Sequence, residues 1–188
     1  MSLISFGCRV VVTALFFIGA TPARAQVTNG DFNTGLEGWG LLSNGSSATF
    51  WSPHDAFFPF KLDSGSAAVT AVTTPAGPSA FAYFYTDAGL PPATSYVFGG
   101  IVSVDRTSAG GTDVRFGVNW MTPSSTCFNA IIRTDYGTPV PEGSRWSLNW
   151  TAVTPPAGAT GACFFLSASN GHASFSVHLD KAFFVALP

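Results

Sequence analysis

Charge is scarce in this chain: Asp, Glu, Lys and Arg make up 10% of its 188 residues, and the 8 basic residues are scattered with no Lys/Arg cluster. That excludes the basic stripe by which proteins hold nucleic acid or an anionic membrane surface. No segment carries an 11-residue helical pattern of apolar residues, which argues against a helical bundle or an α/β fold. After a short apolar run near the start there is no second run of bilayer length, so no membrane insertion is expected. Catalytic signatures are missing too: there is no G-x-S-x-G elbow, no H-E-x-x-H and no Gly-rich phosphate loop. No pair of carboxylates is marked by spacing as acid and base. Cysteines number 3 and histidines 3, and neither Cys127 nor Cys163 belongs to a C-x-x-C pair or has a histidine at ligand spacing, which disfavours a zinc site.

What is present begins with a leader. Arg9 gives a positive start, residues 10–20 are apolar, and Ala23-Arg24-Ala25 has the small-x-small form read by signal peptidase. Residues 1–25 are therefore read as a signal peptide and residues 26–188 as a single secreted domain, extracellular or periplasmic, large enough to bury a core. Without Arg9 and Arg24 that domain holds 6 basic against 10 acidic residues, a formal charge of −4. Cys8 leaves with the leader. Cys127 and Cys163 remain in an oxidising compartment and are expected to pair. Closing that loop contributes about 4 kcal/mol in the chain-entropy model.

Period-2 segments separated by Gly, Pro and Asn clusters dominate the rest and predict an all-β chain of roughly ten short strands. The clearest is 113–120, where Val114, Phe116, Val118 and Trp120 share one face and Arg115 and Asn119 the other. Further strands are expected at 48–51, 66–72, 79–85, 95–104, 130–134, 146–154, 162–169 and 174–185. Between them lie turn residues such as Pro75-Ala76-Gly77-Pro78 and Pro155-Pro156-Ala157-Gly158, with Pro fixing φ and Gly permitting positive φ.

Three stretches in order carry a resemblance. Asn29-Gly30-Asp31-Phe32 followed by Gly35-Leu36-Glu37-Gly38-Trp39 is similar to the opening strand of carbohydrate-binding modules of families 4, 9 and 22, in the galactose-binding-like superfamily. Trp146 to Trp150 with Thr154 to Ala159 resembles their late W-x-x-L segment and turn, and Val177 to Phe184 resembles their closing strand. The resemblance implies a two-sheet antiparallel jelly-roll β-sandwich that binds a polysaccharide or oligosaccharide. It also implies a structural Ca2+, whose ligands here would be Asn33, Asp63 and Asp180. The family usually has glutamate at the position of Asn33, so one charged ligand is lost. The plain alternative is that Asp63 opens a turn and Asp180 accepts backbone N–H groups at a bulge.

Sugar binding needs flat apolar faces for pyranose C–H surfaces and polar groups for the hydroxyls. Strand 79–85 places Phe81, Tyr83 and Tyr85 on one face, and the phenol oxygens of Tyr83 and Tyr85 favour a wet edge. Arg115 and Asn119 supply hydrogen bonds opposite the buried face of their own strand. An ordinary solvated sheet face is the alternative for all four. The loop 51–60, rich in aromatics and proline, is expected to fold over the core as a lid, and Trp120, Trp146 and Trp150 are assigned to the core. The function expected is a secreted, non-catalytic carbohydrate-binding module. A structural or adhesive protein associated with an envelope or matrix is the alternative, and a jelly-roll glycan hydrolase or lyase is the third reading.

Overall fold

The computed structural model describes residues 27–44, 47–53, 65–71, 80–88, 90, 95–105, 112–170 and 175–187. Residues 1–26, Asp63, the dyad His54-Asp55, His172 and residues 54–60 of the aromatic loop lie outside them.

Ten strands run through the described residues: β1 (Gly40–Ser43), β2 (Ser47–Ser52), β3 (Ser66–Ala71), β4 (Ala80–Ala88), β5 (Ser95–Val104), β6 (Asp113–Thr126), β7 (Asn129–Tyr136), β8 (Ser147–Val153), β9 (Gly161–Asn170) and β10 (Phe175–Leu187). They form two five-stranded antiparallel sheets, ordered β1-β4-β9-β6-β7 and β2-β3-β10-β5-β8. The expected all-β jelly-roll sandwich is the fold found.

The alternation read from the sequence decides what lies between the sheets. On β6 the residues Val114, Phe116, Val118 and Trp120 are buried, and on β9 so are Ala162, Phe164, Leu166 and Ala168. Phe164 stacks on Phe116 at 5.7 Å between ring centroids and meets Phe98 of the opposite sheet edge-on at 6.2 Å. On β10 the phase changes. Phe175, Val177 and Leu179 are core residues, and then Ala182, Phe184 and Ala186. The switch is a bulge in which β10 advances from Asp180 to Phe183 while its partner β5 advances from Ile101 to Gly99, with Lys181 at φ 50°.

Two expectations are corrected. The opening segment 27–39 is not a strand. Asn29 (φ 51°), Phe32 (φ 48°) and Gly38 (φ 84°) occupy the left-handed region, which an extended strand does not use. The segment coils on itself: the Asn29 side-chain amide donates to Gly35 O at 3.0 Å, and the Trp39 indole donates to Thr28 O at 3.0 Å. Phe32, fully buried, and Trp39 then pack on Phe84 and Phe164, so the aromatics of the segment do close over the core. Trp150 is the second correction. It is 58% exposed, as its strand neighbour Leu148 is exposed, while Trp120 is fully buried and Trp146 half-buried against His178. β8 is an edge strand whose register on β5 leaves Ser147, Asn149, Thr151 and Val153 half-buried and turns Leu148, Trp150 and Ala152 outward. An edge strand is anchored on one side only, so its apolar residues do not dictate which face is covered.

The buried indole of Trp120 donates its N–H to Asp135 Oδ2 at 2.7 Å, and Arg133 Nη2 reaches the same oxygen at 2.6 Å while also donating to Thr154 O. Asp135→Ala strands a buried donor and is expected to cost about 1–3 kcal/mol, read as a lower urea midpoint. Asp135→Asn, which keeps an acceptor for the indole, is expected to lose less.

Candidate functional site

The outer face of the sheet β1-β4-β9-β6-β7 is assembled by register. β9 sits in the middle, and its outward residues are Cys163, Phe165, Ser167 and Ser169. Phe81 of β4, Ser169 and Asp113 of β6 lie in one cross-strand row; Tyr83, Ser167 and Arg115 in the next; Tyr85, Phe165, Gly117 and Tyr136 of β7 in the third. The two serines leave a trough between an aromatic wall and a charged one. The resulting groove, about 290 Å³, is lined by Phe81, Tyr83, Asp113, Arg115, Tyr136, Ser167, Ala168 and Ser169. That is close to the lower end of small-molecule sites.

Phe165 lies one row on from the groove, packed against Tyr83 and Tyr136. It lies on the outer face yet is only 1% exposed, because Tyr83, Phe128 and Tyr136 surround its ring at 5.4, 6.1 and 5.8 Å. It fits there because its strand neighbour is a glycine: a Cβ on Gly117 would come within 2.3 Å of the Phe165 ring. Tyr136, 48% exposed, stands edge-on to Phe165. Burial raises the Tyr136 phenol above its ordinary pKa, and the nearby Tyr83 hydroxyl adds to the rise. The phenol therefore stays protonated at neutral pH and keeps a donor.

On the other wall Arg115 Nε donates to Asp113 Oδ1 at 2.8 Å and to Oδ2 at 3.1 Å. This hydrogen bond, reinforced by the charge of Asp113, holds the guanidinium pKa above its usual value. Both side chains remain well exposed. Ser167 Oγ donates to Arg115 O at 3.2 Å, which pins the floor to that wall. The groove thus offers donors, a carboxylate acceptor and aromatic faces without a net charge from the Asp113–Arg115 pair.

Of the four sugar contacts expected from the sequence, Tyr83 and Arg115 line this groove. Tyr85 and Asn119 do not. Tyr85 is half-buried one row further on, edge-on to Phe128 at 5.0 Å, with its ring against Gly40 and the cluster around Cys127 and Cys163. Asn119 is 3% exposed, its amide donating to Cys127 O at 2.6 Å and accepting from Thr134 Oγ1 at 2.7 Å. It holds the turn between β6 and β7 in place. Asp113, Tyr136, Ser167 and Ser169 were not singled out from the sequence. Asp113 shares strand parity with Arg115 and was within reach, whereas Tyr136 and the serines depend on which strands pair. The Cys127–Cys163 disulfide is formed.

The implied calcium ligands are less coherent. Asp63 lies outside the described residues, and Asn33 is exposed. Asp180 is fully buried at the β10 bulge, where Oδ1 accepts the Lys181 N–H at 2.7 Å and lies 3.6 Å from the Lys181 ammonium. A cation from the chain itself already faces that carboxylate and would repel a divalent ion beside it. The described residues therefore do not fit a calcium bound on Asp180.

Neither a protein-family model nor a curated protein sequence matches the chain. By structure it is similar to the enzymatically active domain of tailspike protein 4 of bacteriophage CBA120, with TM-score 0.65 and 14% identity over 87% of this chain and 21% of that one. The chain thus spans only a minor part of that protein's length. It is also similar to the CBM22-1 xylan-binding domain of Paenibacillus barcinonensis Xyn10C (TM-score 0.55, 11% identity, 89% of this chain and 97% of that one). TmCBM61, solved with beta-1,4-galactotriose, aligns with TM-score 0.52 and 13% identity over 87% of this chain and 99% of that one. At such identities the likeness is one of fold: the jelly-roll sandwich expected from the sequence is the one these carbohydrate-binding modules have.

Proposed function

We propose that this chain, a jelly-roll sandwich of the kind carbohydrate-binding modules use, is an exported, non-catalytic module that binds a polysaccharide or oligosaccharide in the groove between Tyr83 and Arg115. The observation that carries the reading is the composition of that single groove. Phe81, Tyr83 and Tyr136 offer aromatic faces for sugar C–H surfaces, Ser167 and Ser169 leave space for a ring, and the exposed Asp113–Arg115 pair offers an acceptor and donors for hydroxyls. Neighbours of the same fold bind xylan and beta-1,4-galactotriose, which supports a glycan as ligand.

The non-catalytic reading is supported by the lining. Glycoside hydrolysis ordinarily uses two carboxylates across the scissile bond. Among the described residues that line the groove, Asp113 is the single carboxylate, and Arg115 engages it. Association with an envelope or matrix would then follow from glycan affinity.

Affinity electrophoresis of the secreted protein through gels containing a panel of plant, fungal and bacterial polysaccharides tests the proposal. Retardation on at least one gel with no reducing ends released is the expected result. Unretarded migration throughout would return the chain to the structural or adhesive reading, and released product would make it an enzyme.

A further inference from the structure

Where the coiled segment 27–39 meets β10, the chain makes a junction without a regular ladder. Ala182 N donates to Gly30 O at 2.8 Å, and a Cβ on Gly30 would fall 2.1 Å from Ala182 O, so the two backbones touch only because residue 30 is glycine. Two carboxylates flank this contact. Asp31 is on the coiled segment with its side chain 63% exposed, and Asp180 is on β10, fully buried at the bulge. Buried carboxylates need a cation or several donors to stay ionised.

We propose that the Lys181 ammonium is the structural cation of this junction, a built-in charge that ties the coiled segment to the last strand in place of a calcium ion. Lys181 Nζ stands 3.4 Å from Asp31 Oδ1 and 3.6 Å from Asp180 Oδ1, bridging the two elements. The bulge makes this possible. At φ 50° Lys181 leaves the strand's pleat, so its backbone N–H turns onto Asp180 Oδ1 while its side chain returns over the same carboxylate. Its side chain is 22% exposed, so the charge is partly shielded from water and from salt. A divalent ion bound to Asp180 would have to stand beside this ammonium, whereas a lysine brings one charge with no metal to lose. Folding and glycan retention are then independent of calcium.

Thermal unfolding of the secreted protein and two variants tests this. The unsubstituted protein is expected to show the same midpoint in chelator and in millimolar calcium. Lys181→Asn keeps a residue that tolerates positive φ but removes the cation, and is expected to lower the midpoint by about 5 °C. Lys181→Arg is expected to retain most of the stability. A midpoint that falls in chelator and returns with calcium in the unsubstituted protein would overturn the proposal, because the ion would then be bound despite the lysine. Lys181→Asn as stable as the parent would overturn it equally, because the ammonium would then hold nothing.

Discussion

Replacing both Cys127 and Cys163 by alanine is expected to lower stability by about 4 kcal/mol and the thermal midpoint by about 8–16 °C. The bond spans 36 residues and joins the turn after β6 to the outward face of β9, the central strand of its sheet. The loop it closes contains β7 and β8, one edge strand from each sheet, so without it the unfolded chain regains the freedom of that whole segment. Local packing adds to the loss. Cys127 and Cys163 are buried with Met121 beneath Tyr85 and Phe128, and an Asp87 carboxylate oxygen lies 3.1 Å from Cys127 Sγ. Alanine is the better replacement, since a serine hydroxyl there would find Asp87 as a new acceptor and mask part of the effect. Glycan retention is expected to fall as well, because Phe128 follows Cys127 directly and packs on Tyr83 and Phe165 at the groove. Chemical denaturation of parent and variant without reductant measures the first effect. A shift below about 1 kcal/mol would show that Asn119 and the β6–β7 ladder hold the turn without the crosslink.

Most of the fold was legible because burial has a period. Val114, Phe116, Val118 and Trp120 alternate strictly, and β6 is an interior strand covered on its inner face, so alternation and burial coincide. The disulfide was legible because Cys127 and Cys163 are the two cysteines of residues 26–188. Alternation failed where something other than burial set the chain's path. Residues 27–39 match an opening strand by motif and not by alternation, and there Asn29, Phe32 and Gly38 adopt positive φ and the segment coils around its own hydrogen bonds. On β8 the same apolar alternation pointed Trp150 inward, yet the edge register turns it to solvent.

The groove was half legible for a related reason. Tyr83 and Arg115 could be placed on the outward parity of their own strands, but parity does not tell which outward residues are roofed. Tyr85 and Asn119 have the same parity as Tyr83 and Arg115 and differ only in lying one or two rows closer to the disulfide, where Phe128 packs on Tyr85 and Asn119 bonds the Cys127 carbonyl. The partner strand β9, which separates β4 from β6 and supplies the serine floor, follows them by dozens of residues in the chain. A groove made across three strands is a property of pairing, and pairing is written in no single one of them.

The joint substitution Tyr83→Ala with Tyr136→Ala is expected to weaken glycan retention by about 100-fold, each tyrosine accounting for about 10-fold, or roughly 1.4 kcal/mol. The two rings flank Phe165 from β4 and β7, so removing both strips the aromatic surface from either side of the trough and leaves only Phe81 at its rim. The core residues of the sandwich are untouched, so the far-UV spectrum and the cooperativity of unfolding are expected to match the parent. Trp150→Ala is the informative comparison, because Trp150 is the most exposed tryptophan described and lies on β8 of the opposite sheet. If sugar stacks in the groove, this variant is retained like the parent. If Trp150→Ala abolishes retention while the tyrosine pair does not, the glycan lies on the other face, and the Asp113–Arg115 pair beside Tyr136 is then a surface ion pair with no ligand to hold.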